Sequence, residues 1–365
     1  RGLGRKKTAV LRRLAPALFV LIVFGALRHL LRDGFRLRLA SERPLFWVLV
    51  LSLASVAVAA LSLATGAVQL PVRELWSTLV DRSHPLHGLI TDVRLPRLVA
   101  AVLVGAALAT SGALMQTAVR NALADPALLG VSSGAGIGAL IGILFFPDAA
   151  LLVPVFAFVG AFAGVGSVLG ASMLGGMLGS PLRIILSGVA LQAIFFSVIS
   201  LLVFFFAERA PAFIAFTVGS LASAGWYEVR LALGPTLVGL ALAWLMIRWL
   251  DVLLLDDDSA WSVGLPVGKV RILVCAVAAL LAAAAVTIAG LVGFVGLVVP
   301  NALRIVIGPH HAKLLPLVAL AGALLMMTVD LTARTIVAPL ELPVGSLLAF
   351  LGGPTLLYLL WKHLA

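Results

Sequence analysis

Residues 270–289 read VRILVCAVAALLAAAAVTIA, and after Arg271 no charged side chain interrupts the run. A helix in water keeps one polar face, whereas this one is apolar all round and long enough to cross a hydrocarbon layer of roughly 30 Å. Working outward, similar runs recur at about 45–65, 98–118, 127–146, 150–173, 184–206, 232–250, 291–307, 314–333 and 343–361. Together they predict an all-α integral membrane protein with about ten transmembrane helices. Composition agrees: at 62% hydrophobic and 11% charged residues, there is too little polar surface to coat a soluble core of this size. Glycines inside the runs, such as Gly130, Gly134, Gly136, Gly138, Gly160 and Gly164, fit helices packed backbone to backbone.

The net charge is +11, and its placement decides what it means. Much of the excess precedes residue 44, in Arg1, Arg5, Lys6, Lys7, Arg12, Arg13, Arg28, Arg32, Arg36, Arg38 and Arg43 against Asp33 and Glu42. Basic residues cluster on the cytoplasmic side of membrane proteins, so the N-terminus is expected there, and an even number of crossings returns the C-terminus to the same side. No basic stripe is interleaved with aromatics, which argues against nucleic acid. The chain divides into a basic extension over 1–43, cytoplasmic or lying in the interface, and a transmembrane domain over 44–365. Loops at 120–126, 179–183, 251–271 and 308–313 are then cytoplasmic, and those at 73–97, 208–230 and 334–341 lie outside.

Several chemistries find no residues to carry them. Cys275 is the single cysteine, so no disulfide and no thiolate metal cluster forms within one chain. The segment Gly264-Leu-Pro-Val-Gly268-Lys269-Val270 has the wrong glycine spacing for a phosphate-binding loop, and valine replaces the magnesium-binding hydroxyl. Any ATPase must therefore be another chain. Ion-coupled carriers keep carboxylates in the membrane, but here Asp330 is the main acid within a run, and Arg334 one turn on explains it as an i,i+4 pair. His310 and His311 read as a solvated pair on a cytoplasmic loop. No catalytic residues, resident metal or cofactor are expected.

One loop is acidic where basic residues should prevail: Asp256-Asp257-Asp258-Ser259-Ala260-Trp261-Ser262-Val263-Gly264-Leu265-Pro266. Asp258 or Ser259 is placed to cap a short helix, Gly264 to end it and Pro266 to start another. Two short surface helices would give a soluble motor something to push.

These residues resemble the permease subunits of type II ATP-binding-cassette (ABC) importers, the family that takes up ferric siderophores, haem and cobalamin. The resemblance runs over about 45–362 and is carried by Arg94-Leu-Pro-Arg97, Arg120-Asn-Ala-Leu-Ala-Asp-Pro126, Leu129-Gly-Val-Ser-Ser-Gly134, Val263-Gly-Leu-Pro266, Gly293-Phe-Val-Gly-Leu-Val-Val-Pro300 and Glu341-Leu-Pro-Val-Gly345. It implies a BtuC-like fold in the bacterial inner membrane, a homodimer, two ABC ATPase subunits below and a periplasmic substrate-binding protein above. By the same resemblance Arg94, Arg97 and Arg334 dock the binding protein as exposed guanidinium forks. Residues Asp256, Asp257, Asp258, Ser259, Trp261, Gly264, Leu265 and Pro266 couple to the ATPase, and Ser180, Pro181, Leu182 and Arg183 lie at the cytoplasmic gate. The expected cargo is a ferric chelate, siderophore or haem, with cobalamin as the alternative; an ATP-independent carrier is a more distant one. The chain departs from the family pattern at Ala122, commonly proline, at Asn301, commonly histidine, and at His310, commonly aspartate.

Overall fold

The structure is a computed structural model and describes residues 44–364 except 67, 69, 72–73, 150 and 175–179. The expected extension over 1–43 lies outside the described residues. In chain order the helices are α1 (Pro44–Ala64), α2 (Leu75–Val80), α3 (Leu95–Val119, continuing a π-helical turn over Leu89–Arg94), α4 (Val131–Phe145), α5 (Leu152–Met173), α6 (Pro181–Phe205) and α7 (Ala210–Val218). Then follow α8 (Trp226–Leu245), α9 (Ile247–Val252), α10 (Asp257–Ser262), α11 (Val267–Ala289), α12 (Val295–Ile307), α13 (His311–Thr335) and α14 (Val344–Leu364). Every predicted span finds a helix. Seven are long and apolar enough to cross a membrane, and α4, α12 and α14 are the shorter apolar ones among the described residues.

Which helices lie inside the bundle follows from side-chain size rather than apolarity. Of the membrane-length window of α11, 78% is buried, against 6% for α6, although both runs are strongly apolar. Lipid solvates a leucine as well as a protein core does, so burial goes to the helices whose small side chains allow close contact. The alanines of 278–279 and 282–285 let α11 press against α3, whereas Phe196, Phe204 and Phe205 of α6 point outward. Helices α3, α11 and α13 form the centre. At Gly112 an added methyl group would collide with the backbone of Gly296, and at Gly160 with that of Gly134; these contacts set the α3–α12 and α4–α5 spacing.

Non-helical backbone inside such a bundle must find partners within the protein. The break between α11 and α12 is tied to the end of α7 and the start of α14: Ser220 N–H donates to Ala289 O at 2.9 Å, Leu291 N–H to Phe216 O at 3.2 Å and Gly345 N–H to Gly219 O at 3.2 Å.

Candidate functional site

The acidic loop folds as one capped helix. Asp256 accepts from Ser259 N–H at 3.4 Å and opens α10, two residues before the cap expected at Asp258 and three before that at Ser259. Hydrogen bonds from Ser259 hold the Asp256 carboxyl below its usual value. At the far end Gly264 adopts φ +85°. Its N–H donates to Trp261 O at 2.8 Å and that of Leu265 to Ala260 O at 3.1 Å, the paired bonds of a Schellman stop. The second short helix is not the one expected after Pro266. Pro266 opens the span α11 itself, and the second short helix, α9, precedes the loop.

Asp257 fixes this helix to the bundle. Its carboxylate meets Arg120 at the end of α3 and Arg271 on α11, the latter at 2.9 Å with a side chain 2% exposed. Arg120 itself sits at φ +50°, turning the chain where α3 stops. Clamped in this way, α10 leaves Trp261 74% and Val263 66% exposed. Ser180 and Pro181 join Asp257, Asp258, Trp261 and Pro266 around one cavity of about 460 Å³, so the residues expected at the gate and at the coupling loop stand side by side. Leu182 is exposed, and Arg183 donates to Leu174 O at 3.1 Å.

At the other end of α3 lie the arginines expected to dock a partner. Twenty-three residues separate Arg97 from Arg120 (120 − 97), which along a helix is roughly 35 Å. The expectation of exposed forks is corrected by the geometry. Arg97 bonds Asp330 through Nε at 2.9 Å and Nη2 at 2.8 Å, and Glu341 through Nη1 at 2.9 Å. Arg334 reaches the other Asp330 oxygen at 3.2 Å and the Ser62 hydroxyl at 2.7 Å. Arg94 donates to Leu63 O at 2.5 Å and to Val68 O. A guanidinium leaving water needs such acceptors, and the chain supplies them from the end of α1, from α13 and from the loop after it. The i,i+4 pair read between Asp330 and Arg334 is present, with Arg97 as an added member.

Sequence reasoning missed one buried group at the loop end. His311 is not a solvated loop residue: it starts α13 fully buried, with Nδ1 2.7 Å from Asp251 Oδ1 and Nε2 2.8 Å from Thr117 Oγ1. Thr117 and Asp251 lie far apart in sequence, and nothing local signals that α3 and α9 bracket this ring. The departures at Ala122 and Asn301 prove to be partners, since Asn301 Nδ2 donates to Ala122 O at 2.7 Å.

Comparison with known proteins bears on this geometry. The sequence model of the FecCD transport family matches residues 53–362. The chain is 38% identical over 303 residues to the hemin transport system permease protein HmuU of Yersinia pestis, covering 82% of this chain and 90% of that one. It is 38% identical over 272 residues to the cobalamin import system permease protein BtuC of Halobacterium salinarum, covering 74% and 73%. Among solved structures it is similar to the inward-facing conformation of a chain assigned to metal-chelate type ABC transporters, with a TM-score of 0.77 and 31% identity over 86% of this chain and 98% of that one.

Proposed function

The chain belongs to the FecCD transport family, and from that premise we propose that it is the membrane-spanning permease of an ABC importer that carries a ferric chelate, siderophore or haem, into the cytoplasm. The observation that carries the mechanism is the acidic loop. Helix α10 is tied by Asp257 to both α3 and α11, yet shows Trp261 and Val263 to its surroundings. An exposed aromatic and an exposed valine on a clamped helix suit the seat of a separate ATPase. Force applied there passes through the Asp257 carboxylate to two central helices and to the adjoining Ser180–Pro181 turn. Hydrolysis belongs to that partner subunit, present in two copies.

In this reading a second copy of the chain packs on α6, whose apolar side chains are largely outward, and the pathway runs between the copies. Both termini face the cytoplasm and the Arg97 end faces out. The binding protein docks there at Arg94, Arg97 and Arg334. With Asp330 and Glu341 the cluster sums to +1 (three arginines minus two carboxylates). The Glu341 side chain is 40% exposed, and acids of the binding protein compete with it for Arg97. Exchanging Arg97 for glutamate is expected to abolish docking, while Glu341→Gln strengthens it. Unchanged affinity in both variants, with thermal unfolding showing them folded, would sink the assignment.

Cargo is tested with proteoliposomes holding the chain and its ATPase, ATP inside and binding protein outside, offered haem, a ferric siderophore or cobalamin. Entry of an iron chelate is expected. Cobalamin entry alone would establish the second reading, which the BtuC relative, as similar as HmuU by identity, keeps in view.

A further inference from the structure

A second cavity, of about 360 Å³, opens at the loop end between α3, α12 and the chain following α9. Its lining includes Gln116, Arg120, Asn121, Arg304, Leu254 and Ile305. Arg97, Arg120, Arg271 and Arg334 each meet a carboxylate. Arg304 meets none among the described residues: one Nη donates to Gln116 Oε1 and the other to Ala113 O at 3.2 Å. Gln116 is held for that task, because its Nε2 donates to Gly296 O at 3.0 Å and leaves its oxygen toward the guanidinium. Neutral oxygens satisfy some of the five N–H groups, but they leave the positive charge of a half-buried cation without a counter-ion.

The cavity therefore offers a charge that calls for an anion, and its walls say which kind. Arg304 supplies a guanidinium without a carboxylate, the group best suited to phosphate oxygens, and Arg120, already paired with Asp257, adds a second cation to the lining. Beside them Leu254 and Ile305, 39% and 41% exposed, form an apolar border at the end of a membrane-crossing bundle. A soluble anion gains nothing from that border, whereas an amphiphile gains on both counts. We propose that this cavity binds the phosphate of an anionic phospholipid headgroup, with the acyl chains running along Ile305 and Leu254. The occupant would neutralise Arg304 where α3, α12 and the acidic loop meet, and so brace the seat of α10.

The test uses the full chain, stripped of lipid in detergent and mixed with equal amounts of phosphatidylglycerol and phosphatidylethanolamine, with retained lipid counted by native mass spectrometry. Phosphatidylglycerol is expected to be retained preferentially. Arg304→Gln should lower its retention about fivefold, the factor for one cation beside an anionic headgroup, and Arg304→Lys should preserve most of it. Asn121→Asp provides a variant that leaves the interior untouched. It keeps the bond that Asn121 Oδ1 accepts from Leu123 N–H at 2.9 Å, adds a negative charge at the rim, and should weaken retention if Arg304→Gln fails to fold. Lys313→Gln, at the same end but outside the lining, should change nothing. Equal retention of the two lipids, retention indifferent to Arg304 and Asn121, or an equal fall in Lys313→Gln would overturn the proposal. So would displacement of phosphatidylglycerol by millimolar inorganic phosphate, which would make the cavity a site for the free anion.

Discussion

Asp330 has a side chain 2% exposed and lies between two guanidiniums. Removing one member of a buried ion cluster leaves the others without compensation, a larger effect than the net worth of the cluster. Asp330→Asn is expected to lower the stability of the purified chain by about 3 kcal/mol or more, read from its thermal or denaturant unfolding. Glu341 binds Arg97 as closely, but water reaches it, and Glu341→Gln should cost at most about 1 kcal/mol in the same measurement. Equal losses would mean that the cluster is not graded by burial as described. The same contrast explains what the sequence conceals at this scale. Arg94, Arg97 and Arg334 stand at the ends of apolar runs, where long cationic side chains ordinarily reach for water, and only the fold shows acceptors arranged around them.

Helices contribute by what they exclude as much as by what they present. On α5, Gly160 lies against the backbone of Gly134 and Gly138, whereas Gly166 has open space around it. Leucine at 166 should therefore change unfolding by no more than about 0.5 kcal/mol, while leucine at 160 forces α4 and α5 apart and should cost about 3 kcal/mol or prevent folding. Within the acidic loop, Gly264→Ala meets no neighbour but must hold φ +85°, a strain of about 1–2 kcal/mol. It is expected to loosen α10 and to reduce ATP-driven uptake without altering the stability of the bundle. Such elements are unequally visible in sequence. Long apolar runs declare the spans, and the Asp256–Gly264 pattern announces a short helix. The identity of its cap and the helix that pairs with it were misread, because Pro266 serves equally as the start of a surface helix or of a span.

Across the whole molecule, α3 joins two clusters of paired charge. Arg97 closes the ion cluster at one, and Arg120 meets Asp257 at the other. Fold class and membrane location were legible from apolar run length and from the placement of charge. Which helices are central was not, since lipid and protein reward the same apolar side chains and only the alanine and glycine content separates α11 from α6. His311 was misread for a related reason: its burial is created by α3 and α9, which meet it only in the folded chain. The ion pairs of the loop end were missed likewise, their members lying more than a hundred residues apart in the case of Arg120 and Asp257.

The central claim is that a separate ATPase works this chain through the clamped loop, and the most direct test is the number of cargo molecules imported per ATP hydrolysed, for the wild-type assembly and for Asp257→Asn, in the same proteoliposomes. Releasing α10 from Arg120 and Arg271 is predicted to leave ATP hydrolysis running while import falls at least about tenfold, the consequence of losing roughly 1.4 kcal/mol of coupling. Import per ATP that is unchanged in the variant, or import that proceeds on a proton gradient with no ATP at all, would contradict the account.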